Sequence, residues 1–163
     1  MNKPYLILCV DDEREVLDAV MHDLAPLRSR FELEGAESAE EGIAVIEEWE
    51  EEGGQLALIL CDHMMPGMQG VDFLIQLNRR SLTKASRKLL LTGQAGLEAT
   101  ISAINQGGLD YYLAKPWQPE ELRRVVREQL TGFVLSQGVE VALGYAALLD
   151  SEKVFRAVHD QPI

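Results

Sequence analysis

Cysteine is scarce in this chain of 163 residues: Cys9 and Cys61 are its only two, each inside an apolar run. That argues against a disulfide scaffold or a thiolate zinc site, and predicts buried free thiols in a reducing cytoplasm. Positive charge is also short. There are 15 Lys and Arg against 27 Asp and Glu, a formal charge of −12. A self-repelling acidic surface argues against direct binding to nucleic acid or to an anionic membrane, since both need a basic face. Long apolar runs are missing too. Tyr5–Val10 and Leu56–Cys61 fall far short of the roughly 20 residues of a membrane span. The amino terminus has one Lys and a short apolar run ending in two acids, which is not a signal-peptide pattern. What is present is 47% apolar and 26% charged, enough Leu, Ile and Val for one core with an appendage.

Short apolar runs alternate with amphipathic stretches five times: Tyr5–Val10, Phe31–Ala36, Leu56–Cys61, Lys88–Thr92 and Asp110–Ala114. All are too short for helices. Three are dense in Leu, Ile or Val, as expected of strands buried on both faces of a parallel sheet. Phe31–Ala36 mixes apolar and acidic residues and reads as an edge strand. Between the runs, Val16, Leu17, Val20, Met21 and Leu24 recur at helical steps. Ser38 and Glu41 resemble a capping box for a helix with Ile43, Ile46 and Trp49 on its apolar face. Further helical faces are Phe73, Leu74 and Leu77; Leu97, Ile101 and Ile104; and Leu122, Val125, Val126 and Leu130, with Pro119 suited to the first turn of the last. Five strand–helix units with right-handed crossovers predict a three-layer, doubly wound α/β domain over 1–130. Residues 131–163 read as a helical extension or the start of a linker.

In such sheets ligands bind beyond the carboxyl ends of the strands. The first run ends in Asp11 and Asp12, the third in Asp62, the fourth in Thr92, and the fifth is followed by Lys115 and Pro116. One Asp at a strand end is ordinarily a cap or turn residue, and one Lys before Pro is ordinarily solvated. Their co-occurrence points further. Crowded carboxylates call for a hard divalent cation such as Mg²⁺. One carboxylate could then attack a phosphoryl group, with the Lys115 ammonium and the Thr92 hydroxyl supporting the transferred oxygens.

The segments LILCVDDE, LILCDHMMPGMQG, LLLTG and YYLAKPW, in this order over residues 6–117, resemble the receiver domain of two-component response regulators. The likeness covers about residues 5–130. It implies a flavodoxin-like, five-stranded parallel sheet of order 2-1-3-4-5. It implies Asp62 as phosphoacceptor, Asp12 as a direct Mg²⁺ ligand, Asp11 acting through water or as a support, and the Met64 carbonyl as a further ligand. Thr92 matches the switch hydroxyl, Lys115 the active-site lysine and Tyr112 the aromatic switch. Pro116 matches a proline often preceded by a cis bond. Met64 and Gln94 match positions that tune hydrolysis. The implied partners are a sensor histidine kinase or phosphotransfer protein and an unknown downstream protein target. The implied chemistry is self-phosphorylation and autodephosphorylation rather than enzymatic turnover.

Other residues have plainer readings. Small Gly93 should leave the acceptor accessible. His63, which alternation points away from the Asp62 side chain, reads as a surface or structural residue. Tyr111 faces away from Tyr112, and Trp117 packs or meets a partner. The cluster Arg79, Arg80, Lys84, Arg87 and Lys88 and the acidic run Glu47–Glu52 read as solvated charge. No output motif follows residue 130. The apolar content of 131–163 predicts packing against its own domain or, as a homodimer, against a second copy; the front of a longer regulator is the third option. Two other functions compete. A haloacid-dehalogenase-type phosphotransferase would carry its nucleophile on the first strand in an Asp-x-Asp pattern. A degenerate receiver would act only as a protein-interaction module.

Overall fold

The structure is a computed structural model and describes residues 3–93 and 96–161, the side chain of Leu97 excepted. Five strands form one all-parallel sheet: β1 (Leu6–Val10), β2 (Glu32–Ala36), β3 (Leu56–Cys61), β4 (Arg87–Thr92) and β5 (Tyr111–Ala114). Their order is β2-β1-β3-β4-β5, as the resemblance implied. Every predicted run became a strand, displaced by one residue at most. The apolar density of β1, β3 and β4 has a direct cause: all three are interior strands covered by helices on both faces. At the edge, β2 buries Leu33 and turns Glu32 and Glu34 toward water.

The helices are α1 (Arg14–Leu24), α2 (Ala39–Glu51), α3 (Gly70–Arg79), α4 (Leu97–Asn105) and α5 (Pro119–Gln137). Strand residues alternate between two cores. Ile7, Cys9, Leu33, Leu58, Leu60, Leu89 and Leu91 meet Leu17, Val20 and Leu24 of α1 and Leu122, Val125 and Val126 of α5. Leu8, Val10, Ile59, Cys61 and Leu90 meet Ile46 of α2, Phe73, Leu74 and Leu77 of α3, and Ala103 of α4. Cys9 and Cys61 are therefore free thiols in different cores. Burial pushes the Cys9 thiol up to about 12. No helix among the described residues is long and apolar enough to cross a membrane.

Local signals explain the helix starts. Ser38 Oγ accepts from Glu41 N–H at 3.0 Å, while the Glu41 carboxylate accepts from Glu37 N–H at 3.1 Å, one residue before the cap itself. Pro119 sits in the first turn of α5. Helix α4 departs from the sequence reading. It buries Ala103 and half-buries Ala99, whereas Ile101 and Ile104 are 46% and 56% exposed. The small residues let the chain come close to α3: a Cβ on Gly107 would lie 2.9 Å from the Ala103 carbonyl oxygen and 3.4 Å from Leu74 Cβ.

The charged clusters are not simply solvated either. Lys88 is 1% exposed. Its Nζ donates to the carbonyls of Thr83, Lys84 and Ser86 at 3.1, 3.0 and 2.8 Å. Arg80 clasps Glu50 through two bonds of 2.6 and 3.3 Å, tying the end of α2 to the loop after α3. Periodicity does not reveal such pairings across 30 residues of sequence.

Beyond residue 130, α5 continues unbroken to Gln137, and Gly138 ends it at φ +130°. Then follow α6 (Val139–Leu143), a 3₁₀ turn (Ala146–Leu148) and α7 (Ser151–His159). This helical extension shares the α1–α5 core through Phe133, Val134, Ala142, Leu149 and Val154. Tyr145 packs at a tilt against Phe31, with ring centroids 4.9 Å apart, and against Tyr5 at 5.7 Å, and Tyr5 meets Phe133 edge-on at 5.3 Å. Asp150 N–H donates to Thr131 Oγ1 at 2.9 Å, and Asp150 Oδ1 caps α7 through Lys153 N–H. The aromatic group lies near the amino-terminal ends of β1 and β2, opposite the ends that carry Asp11 and Asp62.

Candidate functional site

The main-chain ladder continues one residue past the strands and sets the site. Asp11 N–H donates to Ala36 O at 3.1 Å, Asp62 N–H to Val10 O at 2.9 Å and Lys115 N–H to Thr92 O at 3.2 Å. Neighbouring strand ends thus deliver Asp11, Asp62, Thr92 and Lys115 to one rim. Carboxylate oxygens of Asp11, Asp12 and Asp62 lie within 4.8 Å of one another. Lys115 Nζ stands 2.7 Å from Asp11 Oδ2 and 3.3 Å from Asp62 Oδ2. The other oxygens are engaged by main chain: Asp11 Oδ1 accepts from Glu13 N–H at 2.9 Å, and Asp62 Oδ1 from His63 N–H at 2.8 Å.

Burial strengthens these interactions, because water does not screen them fully. Asp11, Asp62 and Thr92 are buried, and Asp12 is more open. Burial raises the Asp11 carboxyl, and the neighbouring Asp62 charge adds to this; the Lys115 hydrogen bond, the Glu13 N–H and the Lys115 charge oppose it. For Lys115 burial works downward, but hydrogen bonds and charge from Asp11 and Asp62 outweigh it and hold the ammonium above its usual range. Three carboxylates against one ammonium leave the rim net negative. An all-oxygen donor set of that charge fits a hard divalent cation such as Mg²⁺.

Most of the expected site residues converge on this rim. The Lys115–Pro116 bond is cis. A Cβ added to Gly93 would meet nothing nearer than Lys115 Cβ at 3.8 Å, so the approach stays open. Met64 lies two residues past Asp62, with a half-exposed side chain. Tyr112 is exposed on β5, and Tyr111 packs on the opposite, α1–α5 side. Gln94 lies outside the described residues.

Two further residues, Gly70 and Asp23, had no assigned role. A Cβ on Gly70 would stand 1.9 Å from the Asp62 carbonyl oxygen, so only glycine fits there. Its place at the end of the quoted PGMQG segment was the available signal. Buried Asp23 accepts from Trp117 Nε1 at 2.8 Å and its carbonyl from Arg123 Nε at 3.0 Å. That gives Trp117 a packing role. His63 is buried, the structural half of its sequence reading.

Residues 7–127 match the family of response regulator receiver domains. The chain belongs to that family. This receiver is 32% identical over 136 residues to the hydrogenase transcriptional regulatory protein HoxA of Bradyrhizobium diazoefficiens, covering 83% of this chain and 26% of that one. It is 31% identical over 117 residues to the phosphate regulon transcriptional regulatory protein PhoB of Escherichia coli, covering 71% and 47%. The chain therefore spans about a quarter of the HoxA proteins and about half of PhoB. Among solved structures, a CheY-like response regulator receiver domain protein from Methanospirillum hungatei superposes with a TM-score of 0.70 at 31% identity. That match covers 83% of this chain and all of the other. The role is that of a receiver in two-component signalling. Family membership decides against the haloacid-dehalogenase alternative, as does the acid pair Asp11-Asp12 in place of Asp-x-Asp at the first strand.

Proposed function

We propose that Asp62 accepts a phosphoryl group from a phosphohistidine on a sensor histidine kinase or phosphotransfer protein. The observation that carries this reading is Lys115 Nζ set between Asp11 Oδ2 and Asp62 Oδ2 in a cluster of three carboxylates. Asp62 Oδ1 accepts from His63 N–H, and Oδ2, beside the Lys115 ammonium that would neutralise the incoming group, is the attacking atom. It forms the new O–P bond as the P–N bond breaks, and the donor imidazole leaves with that electron pair and takes up a proton. Lys115 offsets charge on a phosphoryl oxygen, and the Thr92 hydroxyl donates to another. Asp11, Asp12, Asp62 and the Met64 carbonyl would hold Mg²⁺. When bound, the ion supplies neutralisation of the carboxylates and of the phosphoryl oxygens. Hydrolysis of the acyl phosphate closes the cycle, so the reaction is self-modification rather than turnover.

The new dianion biases a two-state equilibrium. Thr92 moves toward the phosphoryl group and Tyr112 turns inward, reshaping the face of β4, α4 and β5. The downstream protein target binds there; self-association through the same face is a second outcome that sizing in solution distinguishes. An acidic chain of charge −12 makes neither nucleic acid nor membrane its direct partner. Two buried free thiols suit a reducing cytoplasm. Residues 1–130 form the receiver proper, and 131–163 are a helical extension seated in its core. The decisive experiment incubates wild type and Asp62→Asn with acetyl phosphate and Mg²⁺. Wild type gains one phosphoryl mass, a gain prevented when Mg²⁺ is chelated beforehand, and Asp62→Asn gains none. Labelling of the variant at the wild-type level overturns the assignment, and no labelling of either identifies a degenerate receiver.

A further inference from the structure

Three hydrogen bonds converge on His63, which is 7% exposed. Its N–H donates to Asp62 Oδ1 at 2.8 Å. Its carbonyl accepts from Gly70 N–H at 2.9 Å. Its ring Nδ1 accepts from Val71 N–H at 3.3 Å. Gly70 and Val71 open α3, where the first N–H groups have no partner within the helix. A main-chain N–H can only donate, so Nδ1 is bare and the neutral ring carries its proton on Nε2. One residue thus fastens both ends of the 63–70 loop, which includes Met64. The fit is tight: a Cβ on Gly70 would stand 1.9 Å from the Asp62 carbonyl oxygen and 2.9 Å from His63 Cα. The first residue of α3 therefore lies in main-chain contact with Asp62 and His63.

We propose that His63 is a positioning residue for phosphoryl transfer. Its ring, by holding Val71 N–H, fixes the main chain from 62 to 70. Asp62 Oδ1 then stays engaged by His63 N–H, and Oδ2 stays directed to Lys115. The proposal rests on Asp62 being the acceptor. His63 exchanges no proton with the reactants and touches no reacting atom; it acts through the Asp62 carboxylate. A latch of this kind matters because a displacement of about 1 Å at a reacting group can cost on the order of 100-fold in rate.

Two polar substitutions separate this role from mere filling of space. The Asn side-chain oxygen can stand where Nδ1 stands, within reach of Val71 N–H. The Gln oxygen lies one bond further out, near the place of Nε2. Wild type, Asp62→Asn, His63→Asn and His63→Gln are incubated with Mg²⁺ and graded acetyl phosphate, and the gain of phosphoryl mass is followed in time. His63→Asn is expected within about threefold of wild type and His63→Gln about tenfold slower at saturation. The half-saturating acetyl phosphate concentration should be unchanged and the loss should exceed any fall in folded fraction. Nitrogen NMR of wild type should show an unprotonated Nδ1 on His63, a readout that needs no variant to fold. A protonated Nδ1, equal rates for His63→Asn and His63→Gln, or slowing that follows the folded fraction overturns the proposal. Absence of label on wild type, or wild-type labelling of Asp62→Asn, instead removes the acceptor assignment and the proposal with it.

Discussion

On the flank of the sheet that carries α1 and α5, large apolar side chains point inward and the extension seals them: Phe133 and Val134 are fully buried, and Tyr145 closes over Phe31 and Tyr5. On the flank that carries α2, α3 and α4, a lysine is buried at Lys88 while Ile101 and Ile104 face water. The first flank is ordered by hydrophobic burial, which is non-directional and hard to reverse. The second buries apolar bulk as well, with Ile46, Phe73 and Leu74 under α2 and α3, and departs from the first toward β4 and α4, where a buried ammonium meets matched carbonyls and small residues pack closely. Its exposed bulk adjoins the face proposed to change on phosphorylation. Removing bulk should therefore cost far more in the core sealed by the extension than on the exposed side of α4.

The largest effect should come from Phe133→Ala. Truncating a fully buried ring costs about 3–5 kcal/mol, read as a shift in the urea midpoint. A small loss would show that the extension is loosely seated and would weaken the contrast between the flanks.

An intermediate effect should appear in the pH dependence of the second flank. Burial lowers Lys88 to about 8 from 10.5, with the Arg87 charge assisting and Asp110 opposing. Below that value the ammonium is charged in both folded and unfolded chains, and its burial weighs against folding. Between about 8 and 10.5 the unfolded chain binds more protons, so stability rises with pH. The stability difference between wild type and Lys88→Met should move by about 2 kcal/mol in favour of wild type from pH 7.5 to pH 10. Urea unfolding at the two pH values measures it. A flat difference would mean that the three carbonyls hold the charged form without penalty.

The smallest effect should come from Ile104→Ser. Its side chain is 56% exposed, so stability should change by about 0.5 kcal/mol or less. Loss of target binding without loss of stability would place Ile104 in the output face. A destabilisation comparable to that of Phe133→Ala would erase the contrast.

The strands were legible because interior positions of a parallel sheet admit little but Leu, Ile and Val, and β1, β3 and β4 are interior. The rim was legible for the same reason: Asp11, Asp62 and Lys115 interrupt apolar runs where the ladder ends. Helix α4 was misread because periodicity ranks residues by size, and its contact with α3 selects Ala99 and Ala103 for closeness. Lys88, and the clasp of Arg80 on Glu50, depend on partners brought together only by the fold. The seat of Tyr145 against Tyr5 joins opposite ends of the chain, and neither ring signals the other in sequence. His63 could be narrowed to a structural or surface role by alternation, but its bond to Val71 depends on the path of the loop between them.

The two thiols lie in different cores, Cys9 under α1 and α5 and Cys61 under α2 and α3. An alkylating reagent reaches each only when its own side opens, so labelling kinetics resolved by peptide would time the breathing of each half separately. Each half of the molecule thus carries its own chemical clock.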